Sequence, residues 1–335
     1  MRLPRHMAEQ DFSKETTFTE CFRLFDEDDK QYLNKDDLGK LVKCVIKHDT
    51  LPDEFTIDEL FACFDKNSDG KIDEEEFNIV WNDWIIPLTQ PVTALIIVDV
   101  QNDFIDGSLA MKNCPAKQDG NEIVPIINNL LESVNFDIVV YSIDCHPEDH
   151  ISFFENVNIR KLSDTNEQSL EDIKLYDTVT FEGPPEVTQK LWPIHCVKDT
   201  FGCQLHPDLK VVENSIFVNK GQNPTIDSYS AFWDNNKISQ TELHSELQRR
   251  KVTHVFVCGL ALDYCVAYTA LDAVEFGYAT VLVEDAARGT DIDNIEAMKN
   301  KLVSNLCVVA SSTEAINLAN GDDIQLEFAK VLALQ

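Results

Sequence analysis

Three side chains able to do covalent chemistry stand at equivalent places in the pattern of this chain. Asp99 closes the apolar run ALIIVD, Lys220 closes SIFVNK, and Cys265 follows THVFVC after the turn GLALDY. From Asp263 the apolar residues Val266, Tyr268, Ala270, Leu271 and Val274 recur at helical spacing, which predicts a strand, a turn opened by Gly259, and a helix with Cys265 in its first turn. There the unpaired N–H groups and the positive end of the helix dipole favour thiolate over thiol, and the same donors suit an oxyanion. A cysteine in an apolar setting is more often a small core residue, so the chemistry depends on its neighbours. With Asp99 taking the thiol proton and the Lys220 ammonium holding the ion pair, the three make a nucleophilic triad.

A second set of residues suits a transition metal. In SIDCHPEDH, Asp144 and His146 stand two residues apart after an apolar run, so in an extended segment their side chains point the same way. The distant WPIHC adds His195. One carboxylate and two imidazoles form an open ligand set for one divalent ion, Zn²⁺ first and Fe²⁺ or Mn²⁺ as alternatives, with positions left for water or substrate. His150 and His206 compete for the same role.

A third set is spaced for calcium. FACFDKNSDGKIDEEEF puts Asp65, Asn67, Asp69, the carbonyl of Lys71, Asp73 and Glu76 at loop positions 1, 3, 5, 7, 9 and 12, with Gly70 at the sharp turn. The earlier LFDEDDKQYLNKDDL keeps Asp26 and Asp28 but has Lys30 at position 5, Gln31 in place of glycine and Asp37 at position 12. This copy is expected to bind calcium weakly or not at all and to serve as the structural partner of the other.

The elements that must position these groups fall into two kinds. Leu60, Phe61 and Phe64 before the second calcium loop, and Phe77, Val80 and Trp81 after it, predict a helix on each side, and so a small all-α domain. WIIPLTQP, with Pro87 and Pro91, reads as a linker, which divides the chain into residues 1–90 and 91–335. From Thr93, the β-rich runs ALIIVDV, FDIVVYSI, SIFVNK, THVFVC, ATVLVED and LCVVA alternate with amphipathic stretches at Asn121 to Ser133, Asp263 to Phe276 and Ile292 to Leu302. That pattern predicts an α/β fold, a doubly wound, mostly parallel sheet with helices on both faces. Ligands of such sheets bind at the carboxyl ends of the strands, where Asp99, Asp144, Lys220 and, past its turn, Cys265 fall.

Composition narrows the partners. Among 335 residues, 28 Lys+Arg stand against 59 Asp+Glu, a net charge of −31, which argues against nucleic acid or an anionic membrane as the main partner. No apolar run approaches a membrane span, and MRLPRHMAEQDFSK has no hydrophobic segment after its basic residues, so an intracellular protein, cytoplasmic or nuclear, is expected. Ten cysteines without CxxC pairs suit reduced thiols. The sequence is compatible with a homo-oligomer.

Two resemblances rest on these motifs. Thr16 to Trp84 resembles the EF-hand family, which implies a paired helix-loop-helix module; its role is expected to be structural, with Phe22, Phe25, Phe61 and Phe64 buried. Thr93 to about Ala310 resembles the nicotinamidase branch of the isochorismatase-like cysteine hydrolases through VDVQNDF, DCHPEDHISF, WPIHCV, VNKG, the SAF at Ser230 to Phe232 and GLALDYCV, in the family's order. The resemblance implies Asp99, Lys220 and Cys265 as the triad and Asp144, His146 and His195 as metal ligands. It also implies a cis peptide between Leu260 and Ala261 that aims the N–H groups of Ala261 and Cys265 at a substrate oxyanion, and a pocket wall of Phe104, Trp192, Tyr229 and Tyr264. The implied activity is hydrolysis of nicotinamide to nicotinate and ammonia through a cysteine thioester, feeding NAD salvage. The competing readings are a hydrolase of another small amide or of isochorismate, and a calcium-sensing scaffold with an inactive hydrolase half. Two departures stand out: Cys145 where the family commonly has tryptophan, and a long segment from Glu155 to Leu191, expected to be a surface excursion over or near the pocket.

Overall fold

The computed structural model describes residues 16–46, 54–321 and 323–334; the N-terminal stretch used above to judge targeting lies outside them. The N-terminal part is helical: Phe18–Phe25, Lys35–Ile46, Glu54–Phe64 and Glu74–Ile79 pack around a shared apolar core. Thr17 opens the first helix with a reciprocal capping box to Glu20. The two loops are joined by two-residue strands, β1 (Tyr32–Leu33) and β2 (Ile72–Asp73), with Leu33 opposite Ile72. Phe22, Phe25 and Phe64 are buried, whereas Phe61 is half-buried.

The predicted linker is not one. Phe77, Val80, Trp81, Trp84, Ile85 and Leu88 continue one helical stripe, and burying it outweighs the two prolines. The chain stays helical as a π-turn over Val80–Ile85 followed by Ile86–Thr89. Pro87 sits in the first turn of that last segment, and the wide turn ahead of it is the departure from regular helix that a proline in mid-run demands.

Beyond it, β3 (Thr93–Val98), β4 (Ile138–Asp144), β7 (Ile216–Lys220), β8 (His254–Leu260), β9 (Ala279–Arg288) and β10 (Val308–Ala310) form one six-stranded sheet in the order β10-β9-β8-β3-β4-β7. Every neighbouring pair is parallel. Along β3, Leu95 and Ile97 face the cluster holding Ile123–Ser133, Ser312–Asn320 and the C-terminal helix Leu326–Ala333. Ala94, Ile96 and Val98 face the opposite cluster, with Leu243–Arg249, Ala267–Glu275 and Ile292–Ser304. The period of two thus covers both faces, and each fully buried aliphatic contributes about 1.5–3 kcal/mol. The chain winds outward from β3 through β4 to β7, then crosses back to β8 and winds the other way, so the strand order reverses between β3 and β8.

The excursion after Phe153 stays outside this sheet. It is a hairpin, β5 (Thr178–Phe181) against β6 (Val187–Lys190), packed on a small core of Ile151, Val157, Ile173, Val179, Phe181 and Leu191. Its Tyr176 stands edge-on to Trp192, ring centroids 5.9 Å apart.

Candidate active site

The reversal of strand order leaves a crevice at the carboxyl ends of β3 and β8, and the predicted chemical groups converge there. Asp99 leaves β3 with φ +50°, a left-handed conformation that aspartate tolerates better than most residues. Gly259, at φ +119°, lets β8 pass against Val98, whose carbonyl a Cβ at 259 would meet at 2.1 Å. The Leu260–Ala261 peptide is cis. Cys265 lies in a π-turn, Leu262–Val266, that runs into the helix Ala267–Glu275, so the first turn of the helical run is wider than the α-turn the spacing suggested.

Lys220 is the hub. Its Nζ lies 2.9 Å from Asp99 Oδ2, donates to Asp144 Oδ1 at 2.9 Å and to the Ser228 carbonyl at 3.0 Å, and reaches Cys265 Sγ at 3.4 Å. All four of Asp99, Lys220, Asp144 and Cys265 are buried. Asp99 Oδ2 meets Lys220 as an ion pair, while Oδ1 accepts from Ser142 Oγ. Burial raises the Asp99 pKa, with Lys220 pulling it partly back. Burial would by itself depress the Lys220 pKa, but Asp144, Asp99 and Cys265 raise it well above the usual lysine range. Cys265 departs from the sequence expectation: burial pushes its thiol well above the usual range, against the pull of Lys220. The buried Cys265 thiol thus stands beside the Lys220 ammonium and a carboxylate whose own pKa burial raises.

Asp144 joins this group to a second one. Its Oδ2 lies 2.9 Å from His146 Nε2 and 3.4 Å from His195 Nε2. His146 Nδ1 is 2.8 Å from the Gly221 carbonyl and His195 Nδ1 is 2.8 Å from the Pro193 carbonyl. A carbonyl only accepts, so each Nδ1 carries hydrogen and, in the neutral rings, each Nε2 turns a lone pair toward the Asp144 carboxylate. Acceptors facing one another in a buried site call for a cation, and the anchored Nδ1–H groups are the outer support that metal-binding histidines have. The donor set therefore fits a divalent ion. Gly221 is required here, since a Cβ would strike His146 Cε1 at 2.4 Å. His150 stacks on His146 at 3.9 Å, with its Nε2 3.9 Å from Asp227 Oδ1 and without a hydrogen bond among the described residues. His206 is not brought to the site; its N–H donates to the Val100 carbonyl and its ring accepts from Asp208 N.

Above these groups opens a cavity of about 390 Å³, counting its mouth, in the range of small-molecule sites. Phe104, Trp192, Tyr229 and Tyr264 line it together with Ala261 and Cys265, so the four aromatics do meet in one wall. Lys190 of the excursion hairpin lies 5.2 Å from the Trp192 ring centre and 5.7 Å from that of Tyr264. Sequence reasoning missed Ser142, Gln101, Ser228 and Asp263. Gln101 clamps the end of β4, taking the Asp144 N–H on Oε1 and donating Nε2 to the Asp144 carbonyl, both at 2.8 Å. Asp263 accepts from Thr290 N, Thr290 Oγ1, Asp291 N and Asn294 Nδ2 at 2.7–3.2 Å, tying the turn that carries Cys265 to the loop after β9. Gln101 and Asp263 lie inside VDVQNDF and GLALDYCV, and their polarity within apolar motifs was the available signal.

In the second calcium loop, the Asp65 carboxylate accepts from Asp69 N and Gly70 N, and Glu76 accepts from Asn67 N and Asp73 N, with Gly70 at φ +81°. The Asp65 and Glu76 carboxylates thus brace the loop by holding its own N–H groups. In the first loop Lys30 Nζ bonds Asp37 Oδ2 at 2.8 Å, so a tethered ammonium occupies the acidic groups.

Residues 93–315 match the Isochorismatase domain model, and residues 15–81 match the EF-hand domain pair. The nicotinamidase of Escherichia coli is 35% identical over 204 residues, 60% of this chain and 85% of its own length. That of Saccharomyces cerevisiae is 34% identical over 222 residues, 62% of this chain and 94% of its own. The crystal structure of the yeast nicotinamidase bound to the inhibitor nicotinaldehyde superposes with a TM-score of 0.56 at 30% identity, covering 65% of this chain and 99% of that one. The chain belongs to the isochorismatase family, with an EF-hand pair placed ahead of the family's domain.

Proposed function

We propose that this protein hydrolyses nicotinamide to nicotinate and ammonia through a thioester on Cys265 and thereby feeds NAD salvage. The observation that carries the reading is Lys220, one buried ammonium in contact with Asp99, Cys265 and Asp144 beneath an aromatic cavity. Relatives that are nicotinamidases, and one that holds nicotinaldehyde, support the choice of amide.

The chemistry starts from the thiol. As Cys265 Sγ attacks the carboxamide carbon, its proton passes to Asp99, whose raised pKa suits it to carry one. The N–H groups of Ala261 and Cys265 hold the oxyanion. Asp99 then gives the proton to the departing nitrogen, ammonia leaves, and a thioester remains. Water attacks the thioester with its proton passing to Asp99, the C–S bond breaks, and Sγ recovers the proton as nicotinate departs. Lys220 keeps its charge throughout and steadies whichever of Asp99 and Cys265 is anionic. Phe104, Trp192, Tyr229 and Tyr264 pack the ring. Asp144, His146 and His195 are the ligands for one divalent ion, zinc first, with iron or manganese as alternatives; when bound, that ion supplies a Lewis acid that orients the pyridine nitrogen, directly or through water.

The calcium ligands of this reading are Asp65, Asn67, Asp69, the Lys71 carbonyl, Asp73 and Glu76. It divides the chain into an EF-hand part, 1–90, and a hydrolase part, 91–335, and places the protein inside the cell. The test is ammonia release from nicotinamide by the purified, metal-loaded protein. Release from another small amide alone would move the substrate assignment, and release from no amide would leave the scaffold reading.

A further inference from the structure

The last helix belongs to neither matched segment. Those end at residues 81 and 315, and Leu326–Ala333 follows both. It is nevertheless firmly held: Phe328, Ala329, Val331 and Leu332 are each 3% exposed or less. On one side it meets β9; on the other it packs on Glu54–Phe64, Val80–Ile85 and Ile86–Thr89 of the EF-hand part. The Trp84 indole N–H donates to the Ala329 carbonyl at 2.8 Å, and Lys330 Nζ lies 3.5 Å from Glu59. Trp84 in turn stands edge-on to Phe64 at 5.4 Å, at the end of the helix that enters the second calcium loop.

An EF-hand pair offers an apolar cleft that takes an amphipathic helix by anchors at positions i, i+3 and i+4. Phe328, Val331 and Leu332 have that spacing, and Leu60, Phe64, Ile85 and Leu88 share their apolar cluster except for Val331. The cleft also has a mechanical link to the ion loop. Glu76, at the twelfth loop position, lies in the first turn of the helix Glu74–Ile79, which continues without a break through Val80–Ile85 to Thr89. A carboxylate of the ion loop and the indole that holds the last helix are thus eight residues apart on one helical run.

We propose that Leu326–Ala333 is the internal target helix of the EF-hand pair, and that its seating and calcium binding in the Asp65–Glu76 loop are thermodynamically linked. This rests on the calcium assignment made above for that loop. Linkage is reciprocal: whatever factor calcium gives to helix seating, the seated helix gives to calcium affinity. The module is then a clamp on a helix of its own chain, with its cleft filled rather than open to a separate partner.

The experiment is hydrogen–deuterium exchange on the full chain with the hydrolase metal held constant, alongside a calcium titration. Amides of 326–333 are expected to exchange at least tenfold faster after selective removal of calcium, and in Glu76→Gln, while those of β3 and β8 do not change. Trp84→Phe, which keeps an aromatic ring and loses the bond to Ala329, is expected to weaken calcium binding at least threefold. Equal exchange of 326–333 with and without calcium, in a wild type that binds calcium, would overturn the linkage alone, as would unchanged calcium affinity in Trp84→Phe. A wild type that binds no calcium would overturn the loop assignment and the linkage with it.

Discussion

Lys220 has no substitute at the residue scale, because two buried carboxylates, Asp99 and Asp144, share its charge. Lys220→Met is expected to lose turnover and also about 3–5 kcal/mol of stability, since it strands those carboxylates, a loss read by urea unfolding. Cys265→Ala separates chemistry from fold: ammonia release should vanish with the unfolding midpoint nearly unchanged, and retention of more than a few per cent of turnover would remove Cys265 from the mechanism. His146→Ala should lower bound transition metal, measured by elemental analysis, and raise KM, because an ion that orients substrate acts on binding as well as rate. Asp99 and Lys220 were legible because each ends an apolar run, and Cys265 because it follows the small-residue turn after one. Ser142 and Ser228 were not, since what recruits them is a neighbouring strand or a carbonyl eight residues on, which spacing along the chain does not encode. Lys30 was read as an obstacle to calcium; it proves to be the counter-ion of its own loop.

At the scale of elements, the strands and helices of the α/β part followed from periods of 2 and 3.6, and the missed feature was the one where two signals conflicted. Pro87 and Pro91 said linker, while the stripe from Phe77 to Leu88 said helix, and the stripe prevailed because it had apolar surface to cover. The turn carrying Cys265 depends on Asp263, whose four bonds fix it to the segment Thr290 to Asn294. Asp263→Ala leaves the buried N–H and hydroxyl of Thr290 unpaired and is expected to cost about 1–3 kcal/mol. The same variant should lower kcat more than it raises KM, because it displaces the nucleophile and spares the aromatic wall; steady-state kinetics distinguish this from a purely structural loss.

For the whole molecule, pH and calcium are expected to act through the same seam. His254, at the start of β8, is 2% exposed and stands edge-on to Phe328 of the last helix at 5.0 Å. Burial depresses its pKa to about 3, against about 6.5 in an unfolded chain. Between those values the unfolded chain holds a proton that the fold excludes, so this stability is fully present above about pH 6.5 and is lost as pH falls toward 3, by up to about 1.4 kcal/mol per unit. His254→Gln should flatten the difference between urea unfolding at pH 7 and pH 5 by about 2 kcal/mol. Calcium is expected to raise the melting temperature while changing turnover less than tenfold. A larger change in wild type that disappears in Glu76→Gln would make this a calcium-switched enzyme.

The bond from Trp84 to Ala329 spans 245 residues, about three quarters of the 335-residue chain. During synthesis the helical N-terminal part leaves the ribosome first, and at about 5–20 residues per second it waits about 10–50 s before the helix that covers Trp84, Ile85 and Leu88 has even been made. Throughout that interval its apolar seam faces water or whatever binds nascent chains. A message or a proteolytic cut that ends the chain before Leu326 would prolong that exposure indefinitely while sparing every residue assigned to the chemistry, so such products should be found in aggregates or on chaperones rather than among inactive soluble enzyme.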